Sequence, residues 1–125
     1  VVAAAGHPLA ERRAGARQLN HATWVLREPG SGTREASDRW LIPHLTQMEV
    51  ELELGSNEAV KRVVAAGLGL GCLSRLAVKE AIAEGWLVEL ATTLPPMQRT
   101  LSIVLHRAKK LGAAAEGFLR HCTTD

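Results

Sequence analysis

Two short stretches carry the residue types that hold small anions. Glu28-Pro29-Gly30-Ser31-Gly32-Thr33-Arg34 and Gly55-Ser56-Asn57 each set glycine beside a hydroxyl or amide side chain, where a strand ends and a helix is expected to begin. The first amides of a helix have no partner within it, and the aligned peptide dipoles leave partial positive charge at that end. Glycine lets a ligand approach the backbone closely. Ser31 and Thr33 add hydroxyl donors and Arg34 adds charge. If the first loop binds an anion, the N–H groups of Gly32, Thr33 and their neighbours should converge on one point. The plain alternative is that Ser31 or Thr33 only caps a helix and the glycines only turn the chain. Two such loops on successive strands raise the ligand reading without closing off the other. Arg27 and Ser74, also at strand ends, are secondary candidates.

Motifs for covalent or metal chemistry fit less well. A phosphate-binding P-loop needs Lys after its last glycine, and Gly32 is followed by Thr33. A nucleophile elbow needs glycine two places before the serine, and Pro29 stands there. His7, His21, His44, His106 and His121 show no metal-ligand spacing with each other or with the cysteines. Glu49, Glu51 and Glu53 share one face of a strand, but such neighbours stand about 7 Å apart, which suits a solvated face better than a metal site. No catalytic residue, metal or cofactor is therefore expected.

The elements that must position the loops can be read from periodicity. Val1–Ala5 reads as a short buried strand, Gly6–Gly15 as a loop and Ala16–His21 as a helical turn. Thr23–Leu26 is β-branched and aromatic, hence a strand. A helix is expected from Thr33 to about Leu41, with Ala36, Trp40 and Leu41 on its buried face, ended by Pro43. Val50, Leu52 and Leu54 alternate with the three glutamates, which predicts a strand with one buried and one acidic face. Val60, Val63 and Val64 keep helical spacing up to the stop at Gly67. Leu68–Leu73 reads as a central strand buried on both faces. A helix from Leu76 to Glu84 and a strand over Leu87–Leu90 complete this part. Beyond the Pro95-Pro96 linker, Thr100–His106 is strand-like and Leu111–Cys122 is an amphipathic helix. The alternation predicts an α/β fold: a Rossmann-like, mainly parallel sheet with flanking helices.

Composition sets outer limits. The 125 residues make one modest domain at most. Hydrophobic residues are 46% of the chain, but with three Trp, one Phe and no Tyr the core must be largely aliphatic. A net charge of +2, scattered among acids, is too small for a nucleic-acid surface on this segment. Cys72 and Cys122 read as two reduced thiols of a cytoplasmic protein. No stretch is long and apolar enough for a membrane span, and Val1–Ala5 lacks the Met, basic flank and length of a signal peptide. A chain starting with Val in mid-strand is expected to be a fragment or a trimmed piece.

The residues also carry a resemblance. Trp24-Val25-Leu26-Arg27-Glu28-Pro29-Gly30-Ser31-Gly32-Thr33-Arg34 resembles the effector-domain signature of LysR-type transcriptional regulators. Gly55-Ser56-Asn57-Glu58-Ala59-Val60-Lys61, with Val64-Ala65-Ala66-Gly67-Leu68-Gly69-Leu70-Gly71 after it, resembles a second signature of that family, and His7-Pro8-Leu9-Ala10 a third. Together they cover essentially the whole chain. The resemblance implies an effector domain similar to type 2 periplasmic binding proteins, with two α/β subdomains joined by two crossing strands and the ligand in the cleft between them. Residues 1–5 would be the outgoing crossing strand and 6–97 the second subdomain. Residues 98–125 would be the return strand and last helix of an incomplete first subdomain.

On this resemblance Ser31, Gly32 and Thr33 would hold one part of a small effector, an organic acid or small oxyanion. Gly55, Ser56 and Asn57 would line the other side of the same half-cleft. DNA would be met only through a winged helix-turn-helix domain absent from this chain. The unmatched apolar surface of the terminal strand and helix implies a homo-oligomer, without membrane contact. A solute-binding fragment serving a transporter is the alternative on the same fold, and would need an export signal. An enzyme such as a prephenate dehydratase-like domain would need a catalytic Thr motif, which is not found.

Overall fold

Trp24, Val25 and Leu26 are consecutive in sequence and are all buried. A strand points successive side chains to opposite faces, so the sheet that holds them must be covered on both sides. The computed structural model, which describes residues 1–108 and 110–123, shows this arrangement. Its elements in chain order are β1 (Val2–Ala4), a 3-10 turn (Pro8–Glu11), α1 (Ala16–Asn20), β2 (Thr23–Arg27), α2 (Gly32–Leu41) and β3 (Glu49–Leu54). Then come α3 (Asn57–Ala65), β4 (Leu70–Gly71), α4 (Arg75–Ala83), β5 (Leu87–Glu89) and α5 (Ala113–Thr123). On one face Trp24 and Leu26 pack with Leu19 of α1, Leu41 of α2, Leu45 and Leu70. On the other, Val25 packs with Val60 and Val64 of α3 and with Val78 and Ala81 of α4.

The strand order is β3-β2-β4-β1-β5. β2 runs parallel to both β3 and β4, whereas β1 is antiparallel to β4 and β5. Four strands therefore share one direction and β1 alone opposes them, which makes the sheet mixed. The predicted α/β fold holds, with β1 as the exception to a parallel sheet. From β2 the chain passes through α2 on one face to β3 at the edge. From β4 it passes through α4 on the other face to β5. The two neighbours β2 and β4 thus send their loops to opposite sides.

Several elements differ from expectation for identifiable reasons. β3 does not keep one buried face. Trp24 pairs with Val50 but Val25 with Leu52, so Glu51 is an extra residue and the register shifts. The bulge turns Val50 toward the Trp24 face and Leu54 toward the Val25 face. Leu52, on this edge strand, stays 37% exposed. The apolar run Leu68–Leu73 contains a strand of only two residues, and Leu68 is 56% exposed, just after the left-handed turn at Gly67. The buried residues of α2 are Ser37 and Leu41, while Ala36 and Trp40 are half-buried. The Gly6–Gly15 loop contains the 3-10 turn, capped by His7 Nδ1 accepting from the Leu9 amide at 3.2 Å.

Thr100–His106 is not a strand. It pairs with no strand of the sheet, in which β1 is already flanked by β4 and β5. Leu101, Ile103, Val104 and Leu105 are exposed in consequence. α5 forms as expected but buries no residue, and Phe118 is 69% exposed. Cys72 is buried and Cys122 exposed, and both are free thiols. Among the described residues no helix is long and apolar enough to cross a membrane.

The approach of β4 to β2 rests on Gly69. Its φ is +157°, and a Cβ there would stand 2.8 Å from the Thr23 carbonyl oxygen, a backbone atom that cannot swing aside. Gly69→Ala should therefore cost about 3 kcal/mol from backbone strain plus the clash. Gly85→Ala, with φ +79° but open space around it, should cost only about 1 kcal/mol. Urea denaturation of both variants checks this, and equal losses would contradict the packing described.

Candidate functional site

An open α/β sheet binds ligands beyond the carboxyl ends of its strands, where neighbouring strands send their loops to opposite faces. Here that place lies between β2 and β4. Ser37 of α2 closes its base. The Ser37 hydroxyl lies 2.9 Å from the Thr33 carbonyl and 3.2 Å from the Cys72 carbonyl, so it bridges the first turn of α2 to the end of β4. Above it opens a cavity of about 650 Å³. Thr33 and Ala36 of α2, Leu73 and Ser74 after β4, and Leu90 to Thr92 after β5 contribute to its lining. Trp40 and the segment 94–99 form a further wall, held where Trp40 Nε1 donates to the Pro95 carbonyl at 2.9 Å.

The first predicted loop is built as a helix cap. Gly30 takes φ +88°, and Ser31 sits in extended backbone with its Oγ accepting from the amides of Thr33 (3.2 Å) and Arg34 (3.4 Å). The expected convergence of amides therefore falls on the Ser31 hydroxyl itself. Thr33 faces the cavity, and its hydroxyl has no hydrogen-bond partner among the described residues. Ser31 and Gly32 lie behind it, outside the lining.

The two arginines of this loop bind protein rather than pointing into the cavity. Arg34 is 13% exposed at its side chain. Its Nε meets both Asp38 carboxylate oxygens at 2.9 Å, and its Nη1 donates to the Arg27 carbonyl (2.9 Å) and to Glu53 (2.6 Å). Burial works against its charge, but the bonds to Glu53 and Asp38 outweigh that and raise its pKa. Arg27 donates to Glu28 at 2.7 and 3.0 Å and to Asn57 Oδ1 at 2.7 Å. The hydrogen bond from Arg27 holds the Glu28 carboxyl below its ordinary value.

The second loop is joined to the first by that Arg27–Asn57 bond but does not line the cavity. Ser56 caps α3 by accepting from the Ala59 amide at 3.1 Å. Gly55, Ser56 and Asn57 come after β3, the edge strand, and lead to the opposite face of the sheet. Ser74 both lines the cavity and caps α4, accepting from the Ala77 amide at 3.2 Å. Of the eight residues singled out from sequence, Thr33 and Ser74 are thus brought together. Ser31, Gly32, Arg27, Gly55, Ser56 and Asn57 surround or brace the loop outside the lining.

Sequence reasoning missed Arg13, Trp40, Arg75, Glu89 and Thr92. Arg13 reaches the cavity because Ala14 bridges to Thr92, and Arg13 Nη2 donates to the Thr92 carbonyl at 3.1 Å. Arg75 and Thr92 stand just past the carboxyl ends of β4 and β5, and applying the strand-end rule to those two strands as well would have found them. The lining carries Arg13, Arg75 and Arg99 against the single carboxylate of Glu89, together with hydroxyls and the Trp40 ring. This combination suits a small organic anion.

Two results would check the loop. Ser31→Ala should cost about 1 kcal/mol in thermal or urea unfolding through the lost cap. Because the Glu28 carboxyl is depressed in the folded state, its pairing with Arg27 stabilises above the ordinary carboxylate range and is lost as pH falls through the depressed value. Carbon-detected NMR titration of Glu28 should give a midpoint below the usual one, returning upward in Arg27→Gln. An unchanged midpoint in that variant would contradict the pairing.

The LysR substrate binding domain family model matches residues 1–125. The chain is 45% identical over 122 residues to YeiE, an uncharacterized HTH-type transcriptional regulator of Escherichia coli (strain K12), covering 98% of this chain and 42% of that protein. It is 35% identical over 122 residues to the RuBisCO operon transcriptional regulator of Acidithiobacillus ferrooxidans, covering 97% of this chain and 40% of the relative. The chain thus spans about two fifths of the length of these curated relatives. Among solved structures it resembles the Synechocystis PCC6803 CcmR regulatory domain in complex with 2-PG, with TM-score 0.77 and 30% identity over 96% of this chain and 58% of that one. It shares the fold of the effector binding domain of QuiR in complex with shikimate, with TM-score 0.70 and 18% identity over 95% of this chain and 56% of that one.

Proposed function

This chain belongs to the LysR substrate binding domain family, and from that premise we propose that the cavity beside the β2–β4 divergence, bounded by α2 and the segments after β4 and β5, is one wall of an effector cleft for a small carboxylate or phosphate ester. The observation that carries the reading is the pairing of position and charge. The cavity lies where the topology directs ligands, and its lining sets three arginines against one glutamate, together with a Thr33 hydroxyl that has no hydrogen-bond partner among the described residues. The ligands of the similar structures, 2-PG (2-phosphoglycolate) and shikimate, are both small acids, which fits this chemistry.

In this reading Thr33 and Ser74 contact the effector, and Ser31 and Gly32 present the backbone of the loop. Gly55, Ser56 and Asn57 act through the Arg27–Asn57 bond, by holding the loop in place. Residues 6–97 form the second effector-binding subdomain. Residues 1–5 and 98–125 lead to and from a first subdomain that supplies the opposite wall. The exposed Leu101, Val104 and Phe118 give it an apolar surface to cover. Support for that division comes from the solved CcmR domain, of which this chain covers 58%. In the whole protein, effector binding would favour one of two arrangements of a homo-oligomer and so alter DNA contacts made by another domain. The similarity to named transcriptional regulators supports this role.

The direct test is calorimetric titration of the full-length protein with a panel of small carboxylates and phosphates that includes 2-phosphoglycolate and shikimate. Thr33→Val keeps the side chain's shape and removes the hydroxyl. It should weaken the tightest ligand about tenfold, the size of one hydrogen bond to a charged group. Unchanged affinity in Thr33→Val would overturn the placement of the site.

A further inference from the structure

The cavity carries its own anion. Glu89 is the last residue of β5 and Arg75 the first of α4, and both line the cavity. Arg75 Nε and Nη2 both donate to one oxygen, Glu89 Oε1, at 3.1 and 2.8 Å, so the guanidinium meets the carboxylate side-on through a single oxygen rather than as a two-oxygen fork. The two partners are not equally open to solvent. The Glu89 backbone is held in the sheet by its pairing with Val2 and its side chain is 42% exposed, whereas the Arg75 side chain is 85% exposed. An exposed pair that engages only one carboxylate oxygen is weak and readily exchanged for another anion.

We propose that Glu89 is an internal competitor for the effector's negative charge: it occupies Arg75 in the empty cavity and sets how much anion is needed to fill it. The inference rests on the effector-site reading above and adds a specificity-determining residue to it. When an anionic group enters, Arg75 swings from Glu89 to the ligand. The released carboxylate then faces the incoming charge. Ligands that place a neutral hydrogen-bond donor opposite Glu89 are favoured over those that bring a second negative group to that spot. Glu89 therefore discriminates as well as competes.

The test uses inorganic phosphate as the probe, titrated at constant ionic strength into the full-length protein and tracked by the amide shift of residue 33. Glu89→Gln should bind phosphate about fivefold more tightly than the unaltered protein, and Arg75→Gln about fivefold more weakly, since one exposed charge pair is exchanged in each case. In the double variant the gain from Glu89→Gln should be lost, because there is no guanidinium left to release. Unchanged or weaker binding by Glu89→Gln, or an equal gain with Arg75 already removed, would overturn the proposal. Thr33→Val separates this from failure of the site itself. If it weakens phosphate while Glu89→Gln does not tighten it, the competitor role alone is wrong. If no protein shows saturable binding, or Thr33→Val changes nothing, the site reading falls and the proposal with it.

Discussion

The structure depends on one topological constraint: β2 and β4 lie side by side and parallel, yet hand the chain to opposite faces of the sheet. Loops that diverge in this way cannot fill the space between them. Both faces are already closed by helices over aliphatic clusters, so the gap opens only at the carboxyl ends. Gly69 permits the close approach of the two strands below, and the Ser37 hydroxyl ties the loops together at the bottom of the gap. A polar residue buried on α2 is thereby explained. Its single proton is shared between the Thr33 carbonyl of the helix and the Cys72 carbonyl just past β4, so the buried hydroxyl keeps hydrogen-bond partners and burying it costs little.

Charge near the site divides into two groups with different work. Arg27 and Arg34 are surrounded by Glu28, Asp38, Glu53 and Asn57 and carry the loop rather than the ligand. Arg34 connects α2, the end of β2 and the edge strand β3 in a single side chain. Because it is largely shielded from water, its bonds are screened less than an ordinary surface pair. Arg13, Arg75 and Arg99 are the second group and face the cavity. Holding the loop with one set and offering the other to solvent lets the site be rigid in its backbone and adaptable at its rim, which suits a domain that senses a ligand by binding it.

Much of this was legible in the residues. Val25 and Leu26 beside Trp24 demand a buried strand, and Pro29 to Gly32 demand its end. Ser31 and Ser56 stand where a helix needs a cap, and each becomes one, whereas the cap at Ser74 is plain only once α4 is seen to begin at Arg75. Strand order was not legible, because periodicity states which face a residue takes and nothing about which strand lies next to it. The Gly55–Asn57 loop therefore looked equivalent to the Glu28–Thr33 loop, although it leaves an edge strand and turns to the other face. The bulge at Glu51 is hidden for the same reason, since Val50, Leu52 and Leu54 alternate perfectly in sequence while the partner strand breaks the register. Leu101, Ile103 and Leu105 alternate too, but alternation does not supply a partner strand, and this segment pairs with none in the sheet. Arg27 and Arg34 illustrate the limit for side chains: their charge is evident from sequence, whereas the carboxylates that claim it come from positions up to 19 residues away.

The central claim is that the gap between β2 and β4 holds the effector. A crystal structure of the full-length protein with its tightest small-acid ligand tests it most directly. The account predicts the ligand's anionic group within hydrogen-bond distance of Thr33 and on the Ser74 side of the gap, with the Ser37 bridge intact beneath it. Electron density for the ligand at Gly55–Asn57 on the edge of the sheet, with the cavity between β2 and β4 holding only water, would contradict it.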